Sequence, residues 1–108
     1  MTVEQLAAAC GFDTLCMPCP EREVSGCYIG DLLSWVMGRA RADNAWITIM
    51  SNVNVIAVAS LADTACVVLS EGVTLDADIL ETAKQKEINV LCSKKPTFET
   101  ALLLSGKV

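Results

Sequence analysis

The sequence predicts an α/β fold in three layers: a mainly parallel sheet with helices on both faces. From residue 24 onward, apolar extended segments alternate four times with segments of helical periodicity. The extended segments are almost wholly apolar, as in AWITIM at 45–50 and ACVVL at 65–69, which is typical of strands covered on both faces. This alternation favours parallel strands joined by right-handed crossovers.

The amino-terminal segment predicts a short helix followed by a strand. Thr2 and Gln5 have the spacing of a capping box, and Gly11 stands where the helix would end. Phe12 to Cys16 is predicted as a strand. Residues 17–23 hold two of the three prolines and are predicted as a loop.

The next elements are a strand, a helix, a strand and a helix. Val24 to Ile29 is predicted as a strand, and a helix with a period of 3.6 follows it. The apolar stripe of that helix comprises Leu32, Leu33, Val36, Met37 and Ala40. Ala45 to Met50 predicts a strand and Val53 to Leu61 a helix. This second helix is apolar almost all the way round, so we expect it to be buried, in part against a partner chain.

The last elements repeat the pattern. Ala65 to Leu69 predicts a buried strand, and Asp76 is the expected N-cap of the helix that follows. Ile88 to Cys92 predicts the final strand. Pro96 opens a last helix that ends at Gly106.

The composition indicates one domain, residues 1–108, that associates with a second copy. The hydrophobic fraction is 53% and the mean hydropathy +0.46, both high for a chain of 108 residues, so apolar surface is expected to be covered by another chain. We predict a homodimer formed through the helix faces at Leu32–Met37 and Val53–Leu61. The net charge of −5 and the scattered cations disfavour nucleic acid and anionic membranes as partners.

The sequence predicts a cytoplasmic protein. Its most apolar run, Val53 to Leu69, contains Asp63 and falls short of the roughly 20 apolar residues that cross a membrane. The amino terminus has no basic and apolar signal-peptide regions. In a reducing compartment the six cysteines are not expected to form a disulfide framework. Four of them are interpreted as small apolar side chains: Cys10, Cys27, Cys66 and Cys92.

Small and polar residues follow the predicted parallel strands, where open α/β sheets bind ligands. These candidate ligand-binding residues are Gly30, Asp31, Ser51, Asn52, Ser70, Gly72 and Ser93. They predict a site for a small anionic ligand, such as an adenine nucleotide. The alternative is that they only cap helices and turn the chain. Glu71 lies among them and opposes a phosphate by repulsion.

The chain has no recognisable catalytic set. It contains no histidine, no phosphate-binding GxxxxGK[ST] loop and no nucleophile elbow. We therefore predict a protein that is not an enzyme and needs no cofactor.

The stretch LCMPCP, residues 15–20, leaves three interpretations open. Cys16 and Cys19 have the spacing of a metal clip, for which Cys10 and Cys27 would have to supply the other ligands. They also have the spacing of a redox pair, although Pro20 and the polar run after it predict a loop rather than a helix start. The third interpretation is two loop cysteines without a fixed function. A metal or redox protein accessory to anaerobic electron-transfer enzymes is therefore the alternative function.

From Val24 onward the chain resembles the DRTGG domain. The resemblance runs from REVSGCYIGDLLSWVMG through AWITIMSNVNVIAVASLADTACVVLSEGV to ILETAKQKEINVLCSKKPTFETALLL. It is closest to the stand-alone form, which is similar to the N-terminal domain of HPr serine kinase.

The resemblance implies a three-layer α/β fold, a propensity to dimerise and a regulatory role beside a partner enzyme or signalling protein. Related domains accompany phosphotransacetylases and nucleotide-sensing pyrophosphatases with CBS domains. Ser51-Asn52 stands where the family has its Asp-Arg pair, and Ser70-Glu71-Gly72 stands where it has Thr-Gly-Gly.

Overall fold

A computed structural model describes all of residues 1–108 as one five-stranded sheet with five helices. The elements in chain order are α1 (Val3–Cys10), β1 (Asp13–Cys16), β2 (Cys27–Ile29), α2 (Leu33–Arg39), β3 (Ala45–Thr48), α3 (Asn54–Ala62), β4 (Cys66–Leu69), α4 (Ala77–Gln85), β5 (Val90–Cys92) and α5 (Thr97–Leu104). The strand order is β1-β5-β4-β3-β2; β2 to β5 are parallel, and β1 is antiparallel to β5. The predicted fold class is confirmed.

The sheet separates two apolar clusters of 13 buried residues each. Strands β2 to β5 follow one another across the sheet, so their connecting helices α2, α3 and α4 pack on the same face. Helices α1 and α5 pack on the other face. Side chains of one strand alternate between the two clusters: Cys66 and Val68 join α1 and α5, and Val67 and Leu69 join the other three helices. The middle layer is therefore buried from both sides.

Helix α1 begins and ends as predicted. The Thr2 hydroxyl accepts from the Gln5 N–H at 3.2 Å, and the Gln5 side chain accepts from the Thr2 N–H at 3.0 Å. Gly11 has a φ of 69° and donates to the last carbonyls of the helix. The capping box and the glycine stop are both present.

All five strands are shorter than predicted, and the reasons are identifiable for β2 and β3. Strand β2 begins at Cys27 rather than Val24 because Gly26 adopts a φ of 77° and breaks the extended run. Strand β3 ends at Thr48 rather than Met50. The Asp31 carboxylate accepts from the Ile49 N–H at 3.0 Å and takes that group out of the sheet.

Helices α2 and α3 are less buried than their sequence patterns predict. Only Val36 of the α2 stripe is buried, while Leu32 and Met37 are about half exposed. Helix α2 lies at the edge of its layer and has a neighbouring helix, α3, on one side only. In α3 four residues are buried, but Leu61 is 71% exposed. No helix exceeds nine residues, and none could cross a membrane.

The segment between β1 and β2 crosses from one edge of the sheet to the other and is anchored at two points. The buried Asn89 amide donates to the Cys19 carbonyl at 2.8 Å and accepts from the Cys19 N–H at 2.9 Å. Arg22 forms ion pairs with Asp43 and Asp63, at 3.0 and 2.9 Å, ahead of β3 and β4. The LCMPCP loop is therefore fixed to the sheet through its backbone.

Asn89→Ala is expected to lower the free energy of unfolding by about 3 kcal/mol. The side chain also donates to the Ala65 carbonyl at 3.0 Å, so its removal leaves three backbone groups without their partner. Urea denaturation measures the change. Asn52→Ala removes one exposed hydrogen bond, from the Asn54 N–H, and is the control with an expected loss of about 1 kcal/mol. Equal losses in the two variants would contradict the anchoring role of Asn89.

Candidate functional site

All seven predicted ligand-binding residues lie at one edge of the sheet. Strands β2 to β5 are parallel, so their carboxyl ends point the same way and the residues that follow them gather there. Hydrogen bonds divide the residues into two groups. One group follows β2 and β3, and the other follows β4 and β5.

In the first group, the residues after β2 hold the ends of β2 and β3 together. The Gly30 carbonyl accepts from the buried Trp46 indole N–H at 2.9 Å, and the Gly30 N–H donates to the Ile47 carbonyl at 3.2 Å. The Asp31 carboxylate accepts from the Thr48 hydroxyl at 2.8 Å. Gly30 and Asp31 therefore already form hydrogen bonds within the chain.

Ser51 and Asn52 are exposed and lie between β3 and α3. The Asn52 side chain accepts from the Asn54 N–H at 2.9 Å, at the start of α3. Asn52 therefore supplies a hydrogen bond to the helix start, while Val53 occupies the N-cap position. These two residues leave an open polar surface at the end of β3.

In the second group, hydroxyls and backbone groups bond to one another across the ends of β4 and β5. The Ser70 and Thr97 hydroxyl oxygens lie 2.7 Å apart, and those of Ser93 and Thr100 lie 2.8 Å apart. The Gly72 N–H donates to the Ser93 carbonyl at 2.9 Å. Here the chain changes face, because α4 follows β4 on one side of the sheet and α5 follows β5 on the other. In open α/β sheets such a change of direction opens a crevice for ligands.

Glu71 lies at the amino-terminal end of α5, beside this crevice. Its carboxylate accepts from the Thr97 N–H at 2.7 Å, at the first residue of α5, and its own N–H donates to the Lys95 carbonyl at 2.9 Å. Its φ is 60°, in the left-handed region. The carboxylate thus fills the position at which the α5 amino terminus would attract an external anion. The predicted repulsion between Glu71 and a phosphate thus follows from the position of this carboxylate at the start of α5.

Sequence reasoning missed Thr97 and Lys95 as parts of this edge. Both follow β5 by several residues, and no spacing rule connects them with Glu71, which lies more than 20 positions earlier. Pro96, at the N-cap position of α5, was the one available signal for where the helix begins.

Two cavities open on the surface. The larger, about 400 Å³, lies between the LCMPCP loop and α4, and its walls are mainly apolar, with Leu15, Met17 and Leu80 among them. The smaller, about 240 Å³, lies at the carboxyl end of β5, and its walls include Ser93, Lys94 and Lys95. Only the smaller cavity includes a predicted ligand-binding residue, Ser93.

None of the six cysteines forms a disulfide bond, and they differ in how deeply they are buried. Cys10, Cys66 and Cys92 are buried as predicted, but Cys27 is exposed because neither α1 nor α5 extends over the edge strand β2. No three cysteine or carboxylate side chains lie close enough together to hold a metal ion.

Burial disfavours the thiolate form of Cys16 and Cys66. It raises the pKa of the half-buried Cys16 thiol and raises that of Cys66 to about 12. The Cys19 thiol donates to the Glu87 carbonyl at 3.6 Å. A raised pKa at Cys16 runs against activation of the CxxC pair, because metal binding and redox exchange both use the thiolate.

Comparison with known proteins identifies a family, and a search of solved structures finds chains of similar fold. The model of the DRTGG domain family matches residues 21–106. A search of curated proteins finds no match. The chain is similar, with a TM-score of 0.75 and 12% identity, to the crystal structure of the CBS and DRTGG domains of the regulatory region of Clostridium perfringens pyrophosphatase complexed with its activator, diadenosine tetraphosphate. The match covers 95% of this chain and 45% of the other, so this chain spans less than half of the neighbour's length.

Cys66→Ala is expected to make stability less sensitive to alkaline pH. The pKa of Cys66 is raised from its ordinary value of 9.0, so the stabilisation from its protonated form is complete below pH 9.0 and is lost as the pH rises towards 12. Between about pH 8 and about pH 10.5, the wild type should lose about 2 kcal/mol more unfolding free energy than the variant. Urea denaturation at both pH values measures this difference. Cys16→Ala, at a half-buried thiol, is the control and should show a smaller effect; equal effects would contradict the assignment to Cys66.

Proposed function

The chain belongs to the DRTGG domain family, and from this premise we propose that it is a non-catalytic regulatory module. In this proposal it acts as a homodimer, senses a small anionic ligand at the carboxyl ends of its strands and passes the signal to a partner enzyme or signalling protein. Residues 1–108 act as one domain, because α1, which precedes the family match, packs in the same apolar cluster as α5.

The regulatory role is supported by the neighbour's context and by the chemistry of the strand ends. The DRTGG domain of the Clostridium perfringens pyrophosphatase belongs to a regulatory region. In the present chain, the carboxylates of Asp31 and Glu71 accept hydrogen bonds from the chain's own backbone and hydroxyl groups. Carboxylates held in this way act as structural caps rather than as acids or bases.

The observation that carries the proposal is the exposed apolar surface on α2 and at the two ends of α3. Leu32, Trp35, Met37 and Val53 are each 50–55% exposed, and Leu61 is 71% exposed. Exposed apolar side chains on two neighbouring helices are typical of a protein–protein contact surface. These residues belong to the two segments predicted to pair, Leu32–Met37 and Val53–Leu61.

A second copy is the occupant that the charge distribution favours. The chain carries a net charge of −5, so two copies associate best through surfaces without carboxylates. Segments 32–37 and 53–61 contain no acidic residue, whereas α4 and its flanks hold Asp76, Asp78, Glu81 and Glu87. Arg39 lies over the Trp35 ring, 3.8 Å from its centre, and keeps that ring in place for contact.

Adenine nucleotides are the first ligands to test. The neighbour's regulatory region was crystallised with diadenosine tetraphosphate, an activator of that enzyme. In the present chain, Ser51 and Asn52 leave an open polar surface at the end of β3, whereas Glu71 bonds to residues that follow β5. A ligand bound at this edge would contact the β3–α3 connection and would lie next to the exposed apolar surface of α2 and α3.

Trp35→Glu is expected to convert the dimer to a monomer, because it places a charge in the apolar surface. Light scattering coupled to size exclusion at micromolar concentration measures the mass. Phe98→Glu, at a residue on α5 that is 73% exposed and outside the proposed surface, is the control and should leave the dimer intact. A monomeric wild type, or dissociation by both substitutions alike, would refute this interface.

Adenine nucleotides are expected to raise the melting temperature, because a ligand that binds only the folded state stabilises it by mass action. A thermal-shift series with AMP, ATP and diadenosine tetraphosphate, confirmed by calorimetry, tests this. Guanine nucleotides at the same concentration are the control, because they carry the same phosphate charge and a different base. No shift with any adenine compound would remove nucleotide sensing from the proposal and leave the pairing role.

A further inference from the structure

We propose that the smaller cavity, at the carboxyl end of β5, is a binding site for a phosphate or pyrophosphate group held by Lys94 and Lys95. This inference rests on the small anionic ligand of the proposed function and assigns its charged part to residues outside the predicted set, apart from Ser93. Four features support it: the position in the fold, the charge, the rigidity of the loop and the size of the cavity.

The cavity lies where the chain passes from β5 to the opposite face of the sheet. One wall is the loop of Ser93, Lys94 and Lys95, and the other is the end of α1 with Gly11 and the start of β1. It is therefore bounded by a parallel strand end, as ligand sites in open α/β sheets are. It is separate from the α5 amino terminus, where Glu71 already supplies an anion.

The positive charge around the cavity is concentrated and mostly unpaired. Three of the chain's eight cations lie here: Lys94 and Lys95 line the cavity, and the Lys107 ammonium donates to the carbonyl of Leu103, another lining residue. Lys95 and Lys107 form no ion pair, and Lys94 meets the Asp13 carboxylate only at 3.9 Å. In a chain of net charge −5, such a grouping provides a local attraction for an anion.

The lysine-bearing loop is held in one conformation before any ligand arrives. The Lys95 N–H donates to the Ser93 hydroxyl oxygen at 3.3 Å, and the Lys95 carbonyl accepts from the Glu71 N–H at 2.9 Å. The Ser93 hydroxyl is itself buried against that of Thr100. A loop fixed in this way loses little backbone freedom when it binds a ligand, which favours affinity.

The size of the cavity selects the class of ligand. Its volume of about 240 Å³ is below the usual range for a whole drug-sized ligand, roughly 300–1,000 Å³. A phosphate or pyrophosphate group fits such a space, and a purine ring attached to it would have to lie outside. Asp13 is the one carboxylate among the lining residues, and it opposes the anion.

Titration of the full-length protein with phosphate, pyrophosphate and AMP, followed by amide NMR, tests the proposal. Pyrophosphate is expected to shift the amide signals of Gly11, Ser93 and Lys94. Lys94→Gln/Lys95→Gln should weaken its binding at least tenfold. The matched control, Lys84→Gln/Lys86→Gln on α4 and its C-cap, makes the same change in net charge and should alter binding less than twofold. Asp13→Asn should strengthen binding about threefold, because it removes the opposing carboxylate.

Failure of this proposal is distinguishable from failure of the proposed function. The absence of pyrophosphate shifts at the cavity, or equal weakening in the two lysine double variants, overturns the phosphate site. If adenine nucleotides then still shift the Ser51 and Asn52 signals, nucleotide sensing stands without this cavity. If phosphate and pyrophosphate bind at the cavity and none of AMP, ATP and diadenosine tetraphosphate binds, the site is established as one for free phosphate compounds and nucleotide sensing fails.

Discussion

The need to cover a parallel sheet on both faces governs this structure. Strands β3, β4 and β5 are buried along their whole length, because three helices cover one face and two cover the other. Two helices do not reach across five strands, so the edge strand β2 is covered incompletely. Ile29 on β2 and Ile49 just beyond β3 are nearly half exposed for this reason. Together with the exposed residues of α2, they leave exposed apolar side chains on both faces of the sheet near its β2 edge.

The carboxyl edge of the sheet is stabilised by the chain's own acids. Asp31 binds the backbone and hydroxyl at the end of β3, and Glu71 binds the first residue of α5. Glu71 takes the position at which the α5 amino terminus would attract an external anion. The polar surface that remains open lies at the β3–α3 connection and in the lysine-lined cavity after β5. The fold therefore allows a ligand at this edge but restricts where its charge can lie.

The sequence predicted those features that depend on local chemistry. The capping box of Thr2 and Gln5, the stop at Gly11 and the alternation of strands and helices all follow from contacts within a few residues. The seven strand-end residues lie at one edge of the sheet, because parallel topology brings the carboxyl ends of the strands together. The exposure of Cys27 was not predictable, since periodicity gives the apolar face of an element but not whether a neighbour covers it. Contacts such as those of Glu71 with Thr97 and of Asn89 with Cys19 join distant parts of the chain and leave no pattern in the sequence.

The pairing of β1 with β5 also has a consequence for the order of assembly. Asp13 lies opposite Cys92, whereas β2, β3 and β4 each pair with the next strand along the chain. During synthesis from the amino terminus, the first strand to leave the ribosome is therefore the last to find its neighbour. Loop closure over this separation also slows its docking relative to the local crossovers. The segment that carries Cys16 and Cys19 thus has no strand to hold its β1 end until β5 has been synthesised.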